Sequence, residues 1–275
     1  MKDVSFYLIH NNSEDRIHLR KKIMKIAINL NIDLSEIYKQ RKTITLNSYL
    51  KSKFIIIKIK ILRIFYNLKH KNEFTFDFYF FLFKTLIKLN KSITQLLFKD
   101  KNEILKIYNH TKIESFVTKK HIKAWKNFLK SKKEIMIIFE DDAVCKKDTE
   151  KRLRELLIKL KNIEFDNIFV DLAGGYKLDE VIPSNKFLNS EDELIFVKGL
   201  YTNTACSYLI NRNLVKKLYY EYTKSKLNNS LPIDHLINKL GLQITRNIKI
   251  SSIHFYDPIF THGSFKGNIK SWQIY

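Results

Sequence analysis

Residues Glu134-Ile-Met-Ile-Ile-Phe-Glu-Asp-Asp-Ala143 set an unbroken apolar run, Ile135 to Phe139, against three consecutive carboxylates, Glu140, Asp141 and Asp142. Five apolar residues without polar alternation read as a strand covered on both faces, as in the middle of an α/β sheet. The carboxylates then emerge together at the C-terminal edge of that strand, where open α/β sheets bind ligands. Adjacent negative charges repel one another and are compensated by bulk water, by lysines or by a bound divalent cation. Hard oxygen ligands in this position suit Mn²⁺ or Mg²⁺ carrying phosphates. On the local sequence alone, a solvated acidic turn after a strand is an equal reading.

Working outward, the chain alternates strand and helix patterns, which predicts an α/β fold with a mostly parallel sheet. Val4 to Ile9 reads as the first strand, and the cluster at 11–15 turns into a helix from about Arg16 to Leu30. Residues 114–130 read as the helix that feeds the acidic strand, and Thr149 to Leu160 as a helix capped by Asp148 or Thr149. Asn167 to Leu172 is a second buried strand, closed by Gly174-Gly175, where the missing Cβ atoms permit a tight turn. Leu194 to Val197 is a short strand, and Ala205 to Ile210 opens a strand-to-helix element with Asn213 as the cap of a helix toward Tyr222. There is no internal repeat or low-complexity linker, so residues 1–275 are expected to form a single domain.

The 50 Lys and Arg against 28 Asp and Glu give a formal charge of +22, which points to an anionic partner. Only eight of the basic residues are arginine. Few bidentate forks are therefore available to read guanine edges, which argues against specific nucleic-acid recognition. Nucleotide-sugars, charged glycolipids and an acidic membrane face stay compatible. Cys145 and Cys206 have neither metal-site spacing nor a disulfide framework, and the first residues lack a basic-then-apolar signal pattern. A reducing, cytoplasmic setting is expected. Phe54 to Leu68 and Phe74 to Leu89 are interrupted by charges and fall short of the ~20 apolar residues of a membrane span. Residues 45–100, rich in lysine and phenylalanine, are expected to be a helical insertion. Its aromatic face either packs on the core or lies peripherally on the inner membrane.

Glu114-Ser-Phe-Val-Thr-Lys-Lys-His-Ile-Lys-Ala-Trp125, followed by the strand and Glu140-Asp-Asp-Ala-Val144, resembles the family 25 glycosyltransferases of lipopolysaccharide and lipooligosaccharide assembly. In that family an acidic residue opens a helix carrying a His and, four positions later, a Trp, and an acidic triplet ends the next strand. Glu114, His121 and Trp125 match. Asn203-Thr-Ala-Cys-Ser-Tyr-Leu-Ile210 is similar to a later family block, Leu231-Pro-Ile-Asp-His235 to another, and Phe6-Tyr-Leu-Ile-His10 with Glu14-Asp-Arg16 to the opening element. The chain departs from the pattern at Phe116 and Lys120 before the histidine, at His10 and Asn11, and at Asn203 and Cys206-Ser207, where the family has glycine.

The resemblance implies a GT-A-like fold, a nucleotide-sugar donor with UDP-galactose favoured, a glycolipid or oligosaccharide acceptor, and inversion at the anomeric carbon. Glu140 and Asp142 then hold the cation, with His262 of Thr261-His-Gly-Ser264 either closing over the diphosphate, supplying a late ligand, or lying on the surface. Asp141 turns toward the ribose or back into the protein, because alternate residues of an extended chain face opposite ways. Arg16, His121, Asn203 and Thr204 are expected on the donor side. Asp234 is expected to be the base that takes the acceptor's proton, to cap the helix that follows it, or both. The competing class is a non-enzymatic basic protein holding nucleic acid or lipid through lysine and aromatic patches.

Overall fold

The computed structural model describes residues 3–38, 101–161, 166–182, 186–225, 228–229, 231–245, 248–264 and 269. The acidic strand, β3 (Ile135–Glu140), lies third in an eight-stranded sheet. It is covered on both faces as its composition predicts: Ile137 and Phe139 enter one core cluster, Met136 and Ile138 the other. The sheet order is β2-β1-β3-β8-β5-β9-β7-β6. Its remaining strands are β1 (Val4–His10), β2 (Asp33–Tyr38), β5 (Ile168–Asp171), β6 (Phe187–Glu191), β7 (Leu194–Lys198), β8 (Ser207–Asn211) and β9 (Ser251–Phe255). The pairs β1·β2, β1·β3 and β5·β9 are parallel, whereas β8 and β7 each run against both neighbours. Six of the eight strands thus share one direction, and the sheet is mixed with a mostly parallel bias.

Helices α1 (Ile17–Leu30) and α3 (Thr149–Lys161) pack on one face through Ile23, Ala27, Leu153 and Leu157. On the other face lie α2 (Lys101–Lys130), α5 (Arg212–Thr223) and α6 (Ile233–Ile244), contributing Trp125, Phe128, Leu214, Leu218, Leu236 and Leu240. A short α4 (Leu178–Val181) lies between β5 and β6. Helix α1 begins within one residue of its expected start, directly after a 3₁₀ turn at Glu14–Arg16, and ends on Asn31 in the left-handed conformation (φ 52°). The cap of α5 is Asn211 rather than Asn213, because Asn211 keeps extended backbone and its side chain accepts from Leu214 N–H. The expected insertion at 45–100 lies outside the described residues.

The topology decides where chemistry collects. Strands β1, β3, β5 and β9 end at the same edge of the sheet, and the antiparallel β8 begins there. A two-stranded ribbon, β4 (Ala143–Cys145) against β10 (Phe260–His262), brings residues late in the chain back to this edge, opposite the turn that follows β3.

Candidate active site

The end of β3 and the turn that follows it send the three carboxylates into three environments. Their backbone is pinned first: Glu140 N–H donates to the Cys206 carbonyl at 2.8 Å and Asp141 N–H to that of Ile9 at 3.0 Å. Glu140 turns toward α2, its Oε1 lying 3.0 Å from His121 Nε2. Asp141 points back into the protein, where Oδ1 accepts from Arg16 Nη1 at 2.6 Å and the side chain is fully buried. Asp142 faces the ribbon: Oδ1 accepts from Cys206 Sγ at 3.4 Å, and Oδ2 lies 3.7 Å from His262 Nδ1 and accepts from the Ser264 hydroxyl. Arg16 is thus buried in an ion pair with the triplet instead of lying open to a nucleotide.

His121 links Glu140 to the core. Trp125 Nε1 can only donate, and it donates to the Tyr208 hydroxyl at 3.0 Å. That hydroxyl also lies 3.0 Å from His121 Nδ1, with the two rings stacked at 5.7 Å. With the Tyr208 proton directed at Nδ1, the imidazole keeps its own proton on Nε2 for Glu140, a tautomer assigned from the network. Burial, reinforced by the Lys120 charge, pushes the His121 pKa down to about 3, so the ring is neutral. The i, i+4 spacing of His121 and Trp125 places both on the one face of α2 that reaches Tyr208.

The edge is electrostatically loaded. Burial, then the neighbouring Asp142 charge, push Glu140 up to about 8, with His262 and Arg16 pulling the other way and Asp234 adding to the rise. Burial lifts Asp141 to about 7 against the pull of Arg16. Lys120, one of the departures from the family pattern, is buried and brought down to about 8 by desolvation, against the attraction of Asp141 and Glu140. Its Nζ donates to the His10 carbonyl at 2.6 Å and to Asn11 Oδ1, joining the end of β1 to α2. Burial also raises the Cys206 thiol, helped by the Asp142 and Glu140 charges. A divalent cation would relieve this concentration of buried acid groups, and Asp142, Cys206 and His262 each present one ligand atom within 4.8 Å of the others. Glu140, expected among the ligands, has an oxygen committed to His121, and Cys206 stands in the grouping in its place.

Asp234 approaches the same cluster from α6, close enough for its charge to act on both His121 and Glu140. It is the second residue of the helix, not the cap, which is Pro232, and its Oδ1 accepts from His235 N–H at 2.8 Å. The preceding loop is tied to α2 by Ser115 Oγ donating to the Asn229 carbonyl and Thr118 Oγ1 to that of Leu231, both at 2.6 Å. Gly263, directly after His262, is buried and its N–H donates to the Asp142 carbonyl at 2.9 Å, which ties the end of the ribbon to the triplet.

Asp171, at the end of β5, organises the neighbouring loops. Its Oδ1 accepts from Gly174 N–H at 2.9 Å and its Oδ2 from Asn203 N–H at 2.7 Å. Gly174 takes φ +54°, the left-handed turn that its lack of Cβ permits. Asn203 clamps Tyr176, accepting its N–H at 2.8 Å and donating to its carbonyl at 2.7 Å, and Thr204 Oγ1 donates to the Gly174 carbonyl at 3.1 Å. Asn203 and Thr204, two of the residues expected on the donor side, are therefore engaged in building this loop. A cavity of about 580 Å³ adjoins the carboxylates without including them, lined by Asp171, Gly174, Tyr176, Asn203, His254 and Thr261 among others. Asp171 carried the same signal as Glu140, an acid ending a buried apolar run. Tyr208 and Cys206 stood inside the Asn203–Ile210 block of the resemblance, with no role of their own before the fold placed them.

No curated protein matches the chain. Among solved structures it is similar to a glycosyltransferase involved in the glycosylation of the major capsid of PBCV-1, at 7% identity and a TM-score of 0.32, covering 84% of this chain and 71% of that one. The model of glycosyltransferase family 25 (LPS biosynthesis protein) matches residues 87–237. That span takes in His121, the triplet, Asn203 and Asp234, and leaves Arg16 and His262 outside. Over half of the sequence and most of the residues gathered at the sheet edge are thus accounted for by one family, and the chain belongs to glycosyltransferase family 25, LPS biosynthesis proteins.

Proposed function

We propose that the protein moves a hexose, galactose by preference, from a UDP-sugar to a lipooligosaccharide or other surface-glycan acceptor, with inversion and with Mn²⁺ or Mg²⁺ as cofactor. The observation that most supports this reading is the convergence of Glu140, Asp142, His262 and Asp234 at one sheet edge, with burial and the Asp142 charge holding Glu140 near 8. Family membership makes the protein a transferase and sets aside a purely binding role.

Asp142 and His262, with Glu140 beside them, would hold the cation, which when bound offsets negative charge on the leaving nucleoside diphosphate. His121 and Tyr208 keep Glu140 in one orientation without adding charge. Asp234, partly open to solvent, accepts the acceptor hydroxyl's proton as that oxygen bonds to the anomeric carbon and the bond to the diphosphate breaks on the opposite face. The cavity lined by Asn203 and Thr261 offers room for a bound sugar on the same edge of the sheet. Among the described residues no helix is long and apolar enough to cross a membrane. The lysine excess suits peripheral work on an anionic glycolipid at the cytoplasmic membrane face.

The test is calorimetric titration of UDP-galactose, UDP-glucose and UDP-N-acetylglucosamine, with and without Mn²⁺, into the wild type and Asp142→Ala. Cation-dependent binding of one of the three that disappears in the variant is the expected result. No binding of any would overturn the UDP-sugar assignment.

A further inference from the structure

Cys206 belongs to the group around Asp142, yet the transfer chemistry above makes no use of it. Its Sγ lies 3.4 Å from Asp142 Oδ1, His262 Nδ1 lies 3.7 Å from Asp142 Oδ2, and the three ligand atoms all fall within 4.8 Å of one another. Metal–sulfur bonds of about 2.3 Å and metal–nitrogen or –oxygen bonds of about 2.0–2.2 Å place tetrahedral ligand atoms roughly 3.3–3.6 Å apart. The two short separations end on different oxygens of Asp142, so whichever oxygen binds the ion, one edge already stands near that spacing and the others close by about an ångström. The backbone fixes all three segments: the Cys206 carbonyl accepts Glu140 N–H, Gly263 N–H donates to the Asp142 carbonyl, and β10 pairs His262 with Ala143. His262, 17% exposed, provides the side open to solvent.

We infer that Asp142, Cys206 and His262 form a mixed oxygen, sulfur and nitrogen site that takes a borderline divalent ion of the zinc or cobalt class in preference to Mg²⁺. Thiolate and imidazole suit zinc-class ions, whereas Mg²⁺ demands near-octahedral oxygen ligands and gives up its waters reluctantly. On loading, the Sγ–H bond breaks, a sulfur lone pair bonds the metal, and the proton passes to solvent. Without metal the same S–H donates to Asp142. The inference rests on the metal-dependent reading of the preceding subsection for its catalytic meaning but departs from it in the ion, setting a zinc-class ion at Asp142 and His262 ahead of Mg²⁺, and its test needs no sugar nucleotide.

The experiment is titration of the full chain with CoCl₂, followed by absorption spectroscopy. The expected result is a thiolate-to-cobalt charge-transfer band in the near ultraviolet that saturates at one cobalt per chain, is displaced by Zn²⁺, and persists in large excess Mg²⁺. The chain has two cysteines, so a band retained in Cys145→Ser assigns the sulfur to Cys206 even where Cys206→Ser fails to fold. In a folded Cys206→Ser protein the band disappears. Absence of cobalt binding, cobalt bound without the band, a band lost in folded Cys145→Ser, or one abolished by Mg²⁺ overturns the inference. A band without UDP-sugar binding keeps this site and removes the donor reading. UDP-sugar binding supported by Mg²⁺ with no cobalt band does the reverse.

Discussion

Replacing Arg16 with methionine asks whether the middle carboxylate of the triplet is held from inside the protein. Arg16 Nη1 meets Asp141 Oδ1 at 2.6 Å, with the two side chains 2% and 0% exposed. Methionine fills part of the space but leaves a buried carboxylate without its cation. Removing one partner of such a pair costs about 3–5 kcal/mol, whereas replacing both with apolar residues is often neutral or stabilising. Since whole domains are stable by about 5–15 kcal/mol, Arg16→Met alone is expected to remove a large share of the total. Arg16→Met with Asp141→Leu is expected to recover most of it, giving a coupling energy of about 3 kcal/mol. Urea denaturation followed by tryptophan fluorescence reads the result, the buried Trp125 being one reporter, with an unchanged denaturant slope as the check on two-state behaviour. A single-variant loss under about 1 kcal/mol, or coupling below about 0.5 kcal/mol, would refute the structural role. The double variant also separates the two assignments of Arg16. If the arginine serves the scaffold, UDP-sugar affinity survives in the refolded double variant. If it contacts the nucleotide, affinity drops tenfold or more, about 1.4 kcal/mol, despite recovered stability.

Tyr208→Phe removes the hydroxyl shared by Trp125 Nε1 and His121 Nδ1 and leaves buried nitrogens unpaired, so a stability loss of about 1–3 kcal/mol with a lowered kcat is expected from urea unfolding and turnover assays. Asp234→Asn should lower kcat by about 10²–10⁴ while donor KM and melting temperature hold, since the side chain is partly exposed and makes only a local bond; turnover within threefold of wild type would remove it as the base. Thr118→Val frees the Leu231 carbonyl that leads to Asp234, and about 1 kcal/mol of stability with a smaller fall in kcat is expected. A Cβ at Gly263 would stand 2.5 Å from Ile269 Cδ1, 2.8 Å from Val144 Cγ2 and 3.0 Å from the Asp142 carbonyl, so Gly263→Ala is expected to cost about 1–3 kcal/mol by overpacking. A scanning-calorimetry Tm equal to wild type would show that the ribbon yields at no cost.

The strands that the sequence declares are those buried on both faces. Ile135–Phe139 and Ile168–Val170 are apolar at every position because helices cover both sides of the sheet there. Strands β2 and β6 escape such a reading because they are the two outer strands: DLSEIY and FLNSE are largely exposed and lack an apolar period. The site divides along the same line. An acid ending a buried strand is visible as text, so Glu140 to Asp142 stand out, and Asp171 carried the same signal unread. Tyr208 is invisible because its role depends on β8 running against β3, which sets Tyr208 opposite Ile138 and within reach of α2. The partnership of Arg16 with Asp141 joins residues 125 positions apart and needs β1 beside β3.

The polar groups at this edge also show where folding runs against local preference. Glu140, Asp141 and the Cys206 thiol are all held above their ordinary pKa values with burial as the leading cause, and Lys120 is held below its own for the same reason. A protein selected for stability alone would place apolar residues there, since buried ion pairs seldom repay their desolvation. Away from the edge the sheet follows the ordinary rule, with Phe6, Leu8, Phe139, Phe169 and Leu209 making an apolar interior. A concentration of such groups at one edge of a largely apolar core marks a site maintained for chemistry. The groups that bear the cost lie where β1 and β3 end, β8 begins and the β4–β10 ribbon folds over, so the crossing of these segments, and not any one motif, defines the reactive surface.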